Sequence, residues 1–230
     1  GYFYATGTVV PLDLKEAAAW FRKGAEAGGP KAQLNYGLAL ANARGAELDV
    51  KAGADWIRKA ADQGIPEGQL AYGKALYTGR YELPVDRNKA FAYLLKAAEV
   101  GEPEAQALVG VMLRDGQGTN VDVEAAEKWF RRGALQGDMN AQSGLGHLLA
   151  PDRPGDDWRE QRVEGLMWLI LAQRQGEPLA DKTLTDIQHV LVEEEVKEAR
   201  ARAAKFRKAK EGAAASAADA PTPGPQPKGD

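Results

Sequence analysis

The sequence predicts an all-α solenoid of stacked helix pairs, and three observations carry that reading. An aromatic residue recurs as Trp20, Trp56, Tyr93, Trp129 and Trp168, at steps of 36, 37, 36 and 39 residues. A glycine follows each one eight positions later, at Gly28, Gly64, Gly101, Gly137 and Gly176. The segments around the aromatics place apolar or small residues at helical spacing, as at 53, 56, 57, 60 and 61. Self-similarity at this period marks a repeat array, in which one supersecondary unit stacks on its copies because it cannot bury its apolar face alone.

The second helix of each pair opens on an aspartate seven residues before the aromatic, at Asp13, Asp49, Asp86 and Asp122. There a carboxylate accepts from unpaired amides and meets the positive helix end, worth about 0.5–2 kcal/mol. The helix closes at the repeated glycine, and Pro30, Pro66, Pro103 and Pro178 restart the chain two positions later.

The first helix of the next pair carries Gln33, Gln69, Gln106 and Gln142, then Gly37, Gly73, Gly110 and Gly146. A mid-helix glycine costs about 1 kcal/mol relative to alanine, so four copies imply close approach of the partner helix, with Tyr36, Tyr72 or Leu145 beside them. The tryptophans are expected in the inter-helix core. Loops are expected at 44–48, 79–85, 116–121 and 151–157, with Asp157 and Glu160 forming a capping box.

Leu179 to about His189 and Val192 to about Lys210 read as a final pair. The stripe of Val192, Val196, Ala199, Ala203 and Phe206 makes the last helix a cap. Its charge runs, Glu193–Glu195 and 205–210, are expected to be a solvated face that complements the helix dipole. One solenoid domain is expected over 1–211, followed by a disordered tail rich in alanine, proline and glycine over 212–230.

With 30 basic and 33 acidic residues the net charge is −3, and no basic face suits a nucleic-acid backbone. The absence of cysteine excludes disulfides, thiolate metal sites and a cysteine nucleophile. The longest apolar run, 166–172, is too short to span a bilayer. The chain opens without methionine in mid-repeat, so a leader or earlier repeats are expected upstream, and the compartment stays open between bacterial cytoplasm and periplasm.

Ala105-Gln106, Val109-Gly110, Gly116-Gln117-Gly118, Asp122, Ala125, Trp129, Arg132-Gly133-Ala134 and Gln136-Gly137 together resemble the Sel-one-like repeat family, a branch of the tetratricopeptide-like solenoids. The resemblance covers residues 1 to about 211, with a divergent copy at 141–176. It implies antiparallel helix pairs in a right-handed superhelix, a concave face lined by the first helix of each pair, and a scaffold or adaptor role with protein partners. One cysteine-rich branch is associated with penicillin-like compounds, but this chain has no cysteine.

Placing the concave positions by offset from the repeat glycine selects Tyr2, Leu38, Asn42, Lys74, Tyr77, Arg114 and His147 as a groove for a peptide or protein. No cofactor, metal site or catalytic residue is expected. An alternative is a hydrolase acting on cell-wall or β-lactam compounds through Ser143 and His147, four apart on one helix, but the nucleophile elbow and the orienting third group are missing. A structural spacer in an envelope complex is another. Gly116-Gln117-Gly118 reads as turn glycines, and Asp156-Asp157 as a helix start.

Overall fold

The computed structural model describes residues 1–8, 10–149, 158–187 and 192–218, with side chains as far as Lys210. Helix packing divides the chain into two units, Gly1–Leu145 and Gly146–Asp230. The described residues contain helices and connecting turns, with no strand.

The first unit holds α1 (Tyr2–Thr6), α2 (Leu14–Glu26), α3 (Pro30–Ala41), α4 (Val50–Asp62), α5 (Pro66–Thr78), α6 (Arg87–Glu99), α7 (Pro103–Asp115), α8 (Val123–Gln136) and the start of α9 (Met139–Leu149). From α1 to α8 each helix packs on the next. Direction follows from the neighbours: Gly37 faces Ile57, whereas Ala41, one turn further along α3, faces Gly53. The pair is therefore antiparallel.

Local chemistry sets the helix ends as expected. Asp13, Asp49, Asp86 and Asp122 accept from the amides of Glu16, Ala52, Lys89 and Ala125 at 2.8–3.0 Å. The closing glycines 28, 64, 101, 137 and 176 have φ between 84° and 106°, a region in which a Cβ would be strained. Gly116 and Gly118, at φ 68° and 75°, are turn glycines.

The mid-helix glycines face the helix that follows. A Cβ on Gly1, Gly37, Gly73, Gly110 or Gly146 would lie 2.5–2.9 Å from the nearest side-chain carbon of Phe21, Ile57, Leu94, Phe130 or Leu169, respectively. These partners occupy the position one past the repeated aromatic. Ile57, Leu94, Phe130 and Leu169 are fully buried.

The tryptophan expectation therefore needs correction. Trp20 is 47% exposed, Trp56, Tyr93 and Trp129 are half-buried, and only Trp168 of the five is buried. One residue is about 100° of helical rotation, which puts the aromatic on the flank of the buried face. There it meets Tyr36 in the case of Trp56, and Tyr72 in the case of Tyr93, edge to face at 5.8 and 5.0 Å. A cation three residues on covers the first four rings: Lys23, Lys59, Lys96 and Arg132 lie 3.9–5.7 Å from the ring centroids.

The repeated glutamines form a polar seam between pairs. Gln33, Gln106 and Gln142 are buried and donate to the carbonyls of Ala25, Ala98 and Ala134 at 3.1–3.4 Å. Gln63 donates to Gly28 O and Gln33 Oε1, and Gln136 to Gly101 O and Gln106 Oε1, at 2.7–3.1 Å.

The second unit contains the end of α9, α10 (Arg159–Arg174), α11 (Pro178–Ile187) and α12 (Glu193–Ala218). Leu169, Ala172 and Ala180 form a core cluster, with Leu184 and Ile187 packed on it. On α12, Ala199 and Ala203 are buried, and Phe206 packs edge to face on Trp168 at 5.2 Å. Val192, by contrast, is exposed.

The acidic start of α12 is not wholly solvated, and this corrects the expected charged face. Glu195 is buried and takes a two-pronged ion pair from Arg162 at 2.6 and 3.1 Å. Around it Arg159 pairs with Glu198, and Arg202 bridges Glu160 and Glu198. These links hold Glu160 and Glu198 below the usual carboxylate range, chiefly through hydrogen bonds from Arg202 and Arg159 respectively.

Helix α12 runs to Ala218, past the expected end near Lys210. Residues 213–215, 217 and 218 are alanine, the best helix former. The loop at 151–157, with Asp156 and the Asp157 half of the capping box, lies outside the described residues, as do His189 and the tail from 219.

Candidate functional site

The first helices α1, α3 and α5 leave two adjoining hollows in the first unit. One, about 220 Å³, is lined by residues including Tyr2, Leu14, Phe21, Leu38 and Arg44. The other, about 650 Å³, is lined by residues including Leu38, Leu70, Lys74, Arg80 and Tyr81. Leu38 lines both, so the two hollows lie on either side of one apolar side chain and together make up the groove of the first helices.

Three of the residues selected by offset, Tyr2, Leu38 and Lys74, line this groove. Asn42 lies at its edge and accepts from Arg80 Nη2 at 3.0 Å, while donating to Leu38 O at 2.8 Å. Lys74 is ion-paired with Glu104 of α7. Tyr77 donates to Gln117 Oε1 at 2.6 Å. Arg114 binds its neighbour Asp115 through two hydrogen bonds at 2.6 and 2.9 Å, and this contact lowers the Asp115 carboxyl pKa. His147 belongs to the second unit, where its Nε2 is hydrogen-bonded to Thr183 Oγ1 at 2.5 Å. Ser143 is 4% exposed, and a buried hydroxyl offers no approach to a substrate carbonyl.

Sequence reasoning missed the loop residues that overhang the groove. The loops after α3, α5 and α7 share the pattern left-handed, any residue, left-handed. Ala43 and Gly45 (φ 53° and 78°) flank Arg44; Gly79 and Tyr81 (73° and 60°) flank Arg80; Gly116 and Gly118 (68° and 75°) flank Gln117. The signal was the glycine spacing, which is hidden where Ala43 and Tyr81 stand in glycine's place. Tyr81 is accommodated by a loop one residue longer than its counterparts, with Glu82 also at positive φ. Backbone strain of this kind is worth about 1–3 kcal/mol per residue.

The first helices carry acidic groups at their starts and arginines in two of the loops that follow; of these, Glu67 and Arg80 line the larger hollow and Arg44 the smaller. At the starts of α5, α7 and α9 stand Glu67, Glu102, Glu104 and Asp138. Burial first, then the charges of Glu67, Glu104 and Asp138, pushes the Glu102 carboxyl up. At the loop end stand Arg44 and Arg80. No metal-binding cluster of acidic residues, histidine or cysteine occurs among the described residues, nor any helix long and apolar enough to cross a membrane.

Comparison with known proteins bears out the fold. The chain is similar to a Sel1 repeat protein of Oxalobacter formigenes, with TM-score 0.71 and 33% identity over 90% of this chain and 84% of that one. It also superposes on c5321, a protective antigen of uropathogenic Escherichia coli displaying an SLR fold, with TM-score 0.62 and 23% identity over 86% of this chain and 50% of that one. An uncharacterized protein of Neisseria meningitidis serogroup B is 34% identical over 108 residues, 47% of this chain and 21% of that protein. The chain thus spans about a fifth of that relative. The model of the Sel1 repeat matches residues 1–29, 30–65, 66–102 and 103–138, the four consecutive helix pairs α1–α2, α3–α4, α5–α6 and α7–α8. The chain belongs to the Sel1 repeat family, whose members are generally non-catalytic scaffolds for protein–protein interaction.

Proposed function

We propose that the protein is an interaction scaffold that holds a peptide or protein segment in the groove of its first helices. The observation that carries this reading is the pair of hollows over α1, α3 and α5, which adjoin at Leu38. The groove's floor is apolar and its rim carries Tyr2, Lys74, Arg80 and Tyr81, the mixture of aromatic and cationic groups that anchors interfaces. The framework beneath it repeats, whereas the rim differs from copy to copy, as a surface meeting an irregular partner requires. Tyr77 and Arg114 continue the same face onto the ends of α5 and α7.

The test is affinity capture from a cell extract, comparing the parent with a Lys74→Ala, Tyr77→Ala, Arg114→Ala variant matched in helicity and melting. A protein retained by the parent and lost by the variant is the expected result. Equal retention by both would move the binding surface to the second helices or the loops.

A further inference from the structure

The groove has a chemical preference that the scaffold reading alone does not supply. Arg80 is held in place without a carboxylate. Its guanidinium donates to Asn42 Oδ1 at 3.0 Å and lies 4.8 Å from the Tyr81 ring centroid. Both partners are neutral, so the positive charge is oriented and not cancelled. A guanidinium has five N–H donors in a rigid fork suited to carboxylate, and the donation to Asn42 leaves others free to point into the hollow that Arg80 lines.

Arg44 occupies the equivalent loop position one repeat earlier and lines the adjoining hollow. No carboxylate among the described residues forms an ion pair with either arginine. Other arginines are neutralised, as Arg114 is by Asp115 and Arg202 by Glu160, while Arg87 and Arg132 lie over the rings of Tyr77 and Trp129 outside both hollows. The left-handed non-glycine residues among the described ones, Ala43, Tyr81 and Glu82, all adjoin these two arginines or their loops. Strained backbone of this kind gathers where a side chain has to be aimed.

We infer that the groove takes an acidic peptide segment, with one carboxylate bound by Arg80 in the larger hollow, another by Arg44 in the smaller, and a neighbouring apolar side chain lodged against Leu38, Leu70 and Tyr81. This rests on the groove reading above and narrows it. Glu67, which lines the larger hollow, sets the polarity: the segment's carboxylates lie at the loop end and its uncharged or basic part lies over the start of α5.

Selection of a random dodecapeptide display library against the protein tests this. The parent should enrich peptides that combine Asp or Glu with a large apolar residue. Synthetic copies should bind the Arg44→Gln, Arg80→Gln variant about tenfold more weakly, because two charge-assisted bonds are lost. Their affinity for the parent should fall with added salt. Circular dichroism of the variant keeps a folding defect apart from a binding defect. Enriched peptides that are neutral or basic, yet are lost on Leu38→Asp, would overturn the acidic preference and leave the groove reading intact. Enrichment indifferent to both Leu38→Asp and the arginine variant would overturn both.

Discussion

The two units bury helix against helix with different chemistry. In the first, α7 and α8 meet through Gly110 and Phe130, backed by small residues such as Ala105, Ala126 and Ala134, which are fully buried. The polar links at this contact are neutral amides, Gln106 and Gln136. In the second, α10 and α12 meet through Ala199, Ala203 and Trp168, but the polar links are ionic: Arg162 with Glu195, Arg159 with Glu198, Arg202 with Glu160. A repeated interface can afford one small-residue solution copied along the chain. Between α10 and α12 long charged side chains reach across the helix pair instead, their apolar stems covering the contact while their heads pair at its edge.

Deleting a core side chain should have the largest effect. Phe130→Ala removes the ring that fills the space left by Gly110 and Gly144, and should cost about 4 kcal/mol in urea unfolding. The same experiment asks whether the repeats of the first unit unfold together.

The ionic contact should be next. Arg162→Met leaves Glu195 buried without its cation and should cost about 3 kcal/mol, with faster amide exchange in α12. Adding Glu195→Leu should restore much of that loss, since a matched apolar pair avoids the desolvation of both charges. A double variant no better than the single one would show that α12 docks through its alanine stripe and Trp168, and that the charges are incidental.

The smallest effect is a pH dependence confined to the first unit. Tyr93 donates to Asp62 Oδ1 at 2.6 Å, and burial together with that carboxylate pushes the Tyr93 phenol up to about 12. A raised folded value favours the protonated phenol. Its contribution to stability is therefore complete below the unfolded tyrosine value of about 10 and is lost as pH rises towards about 12. Ultraviolet titration should show a late-ionising component from Tyr93 that disappears in Tyr93→Phe, beside Tyr72, which burial also raises, and stability between those pH values should fall less in the variant.

Features set within a few residues were legible in the sequence. The aspartate caps, the closing glycines and the prolines after them answer to backbone geometry four residues away at most, and each stands where its spacing placed it. The mid-helix glycines were legible as a close approach, but their partners were not. The invariant aromatic drew attention, while the buried residue beside it changes among phenylalanine, isoleucine and leucine and betrays itself only by burial. The glutamines were visible as a repeat without a role, because their acceptors lie 8 to 35 residues away. Arg162 and Glu195 are 33 residues apart, so their pairing follows from helix docking and not from local pattern. Of the groove, Tyr2, Leu38 and Lys74 were reached by repeat arithmetic; Arg44, Arg80 and Tyr81 stand on loops whose left-handed turns only the folded backbone displays.

Val100 has a bearing on how the groove behaves. It occupies the position at which Gln63 and Gln136 reach back to the preceding repeat, and it has no amide to offer. The junctions on either side are therefore buttoned by a neutral group that no change of pH alters. The junction between α3–α4 and α5–α6, over which the larger hollow opens, is fastened instead by the Tyr93 phenol on the Asp62 carboxylate and by Arg80 on Asn42. Both fastenings are solvent-facing, and one of them belongs to the arginine assigned here to an incoming carboxylate. An acidic guest would take the remaining donors of the same guanidinium that clasps Asn42, so that seating it and steadying the tie between α3 and the loop after α5 become one event.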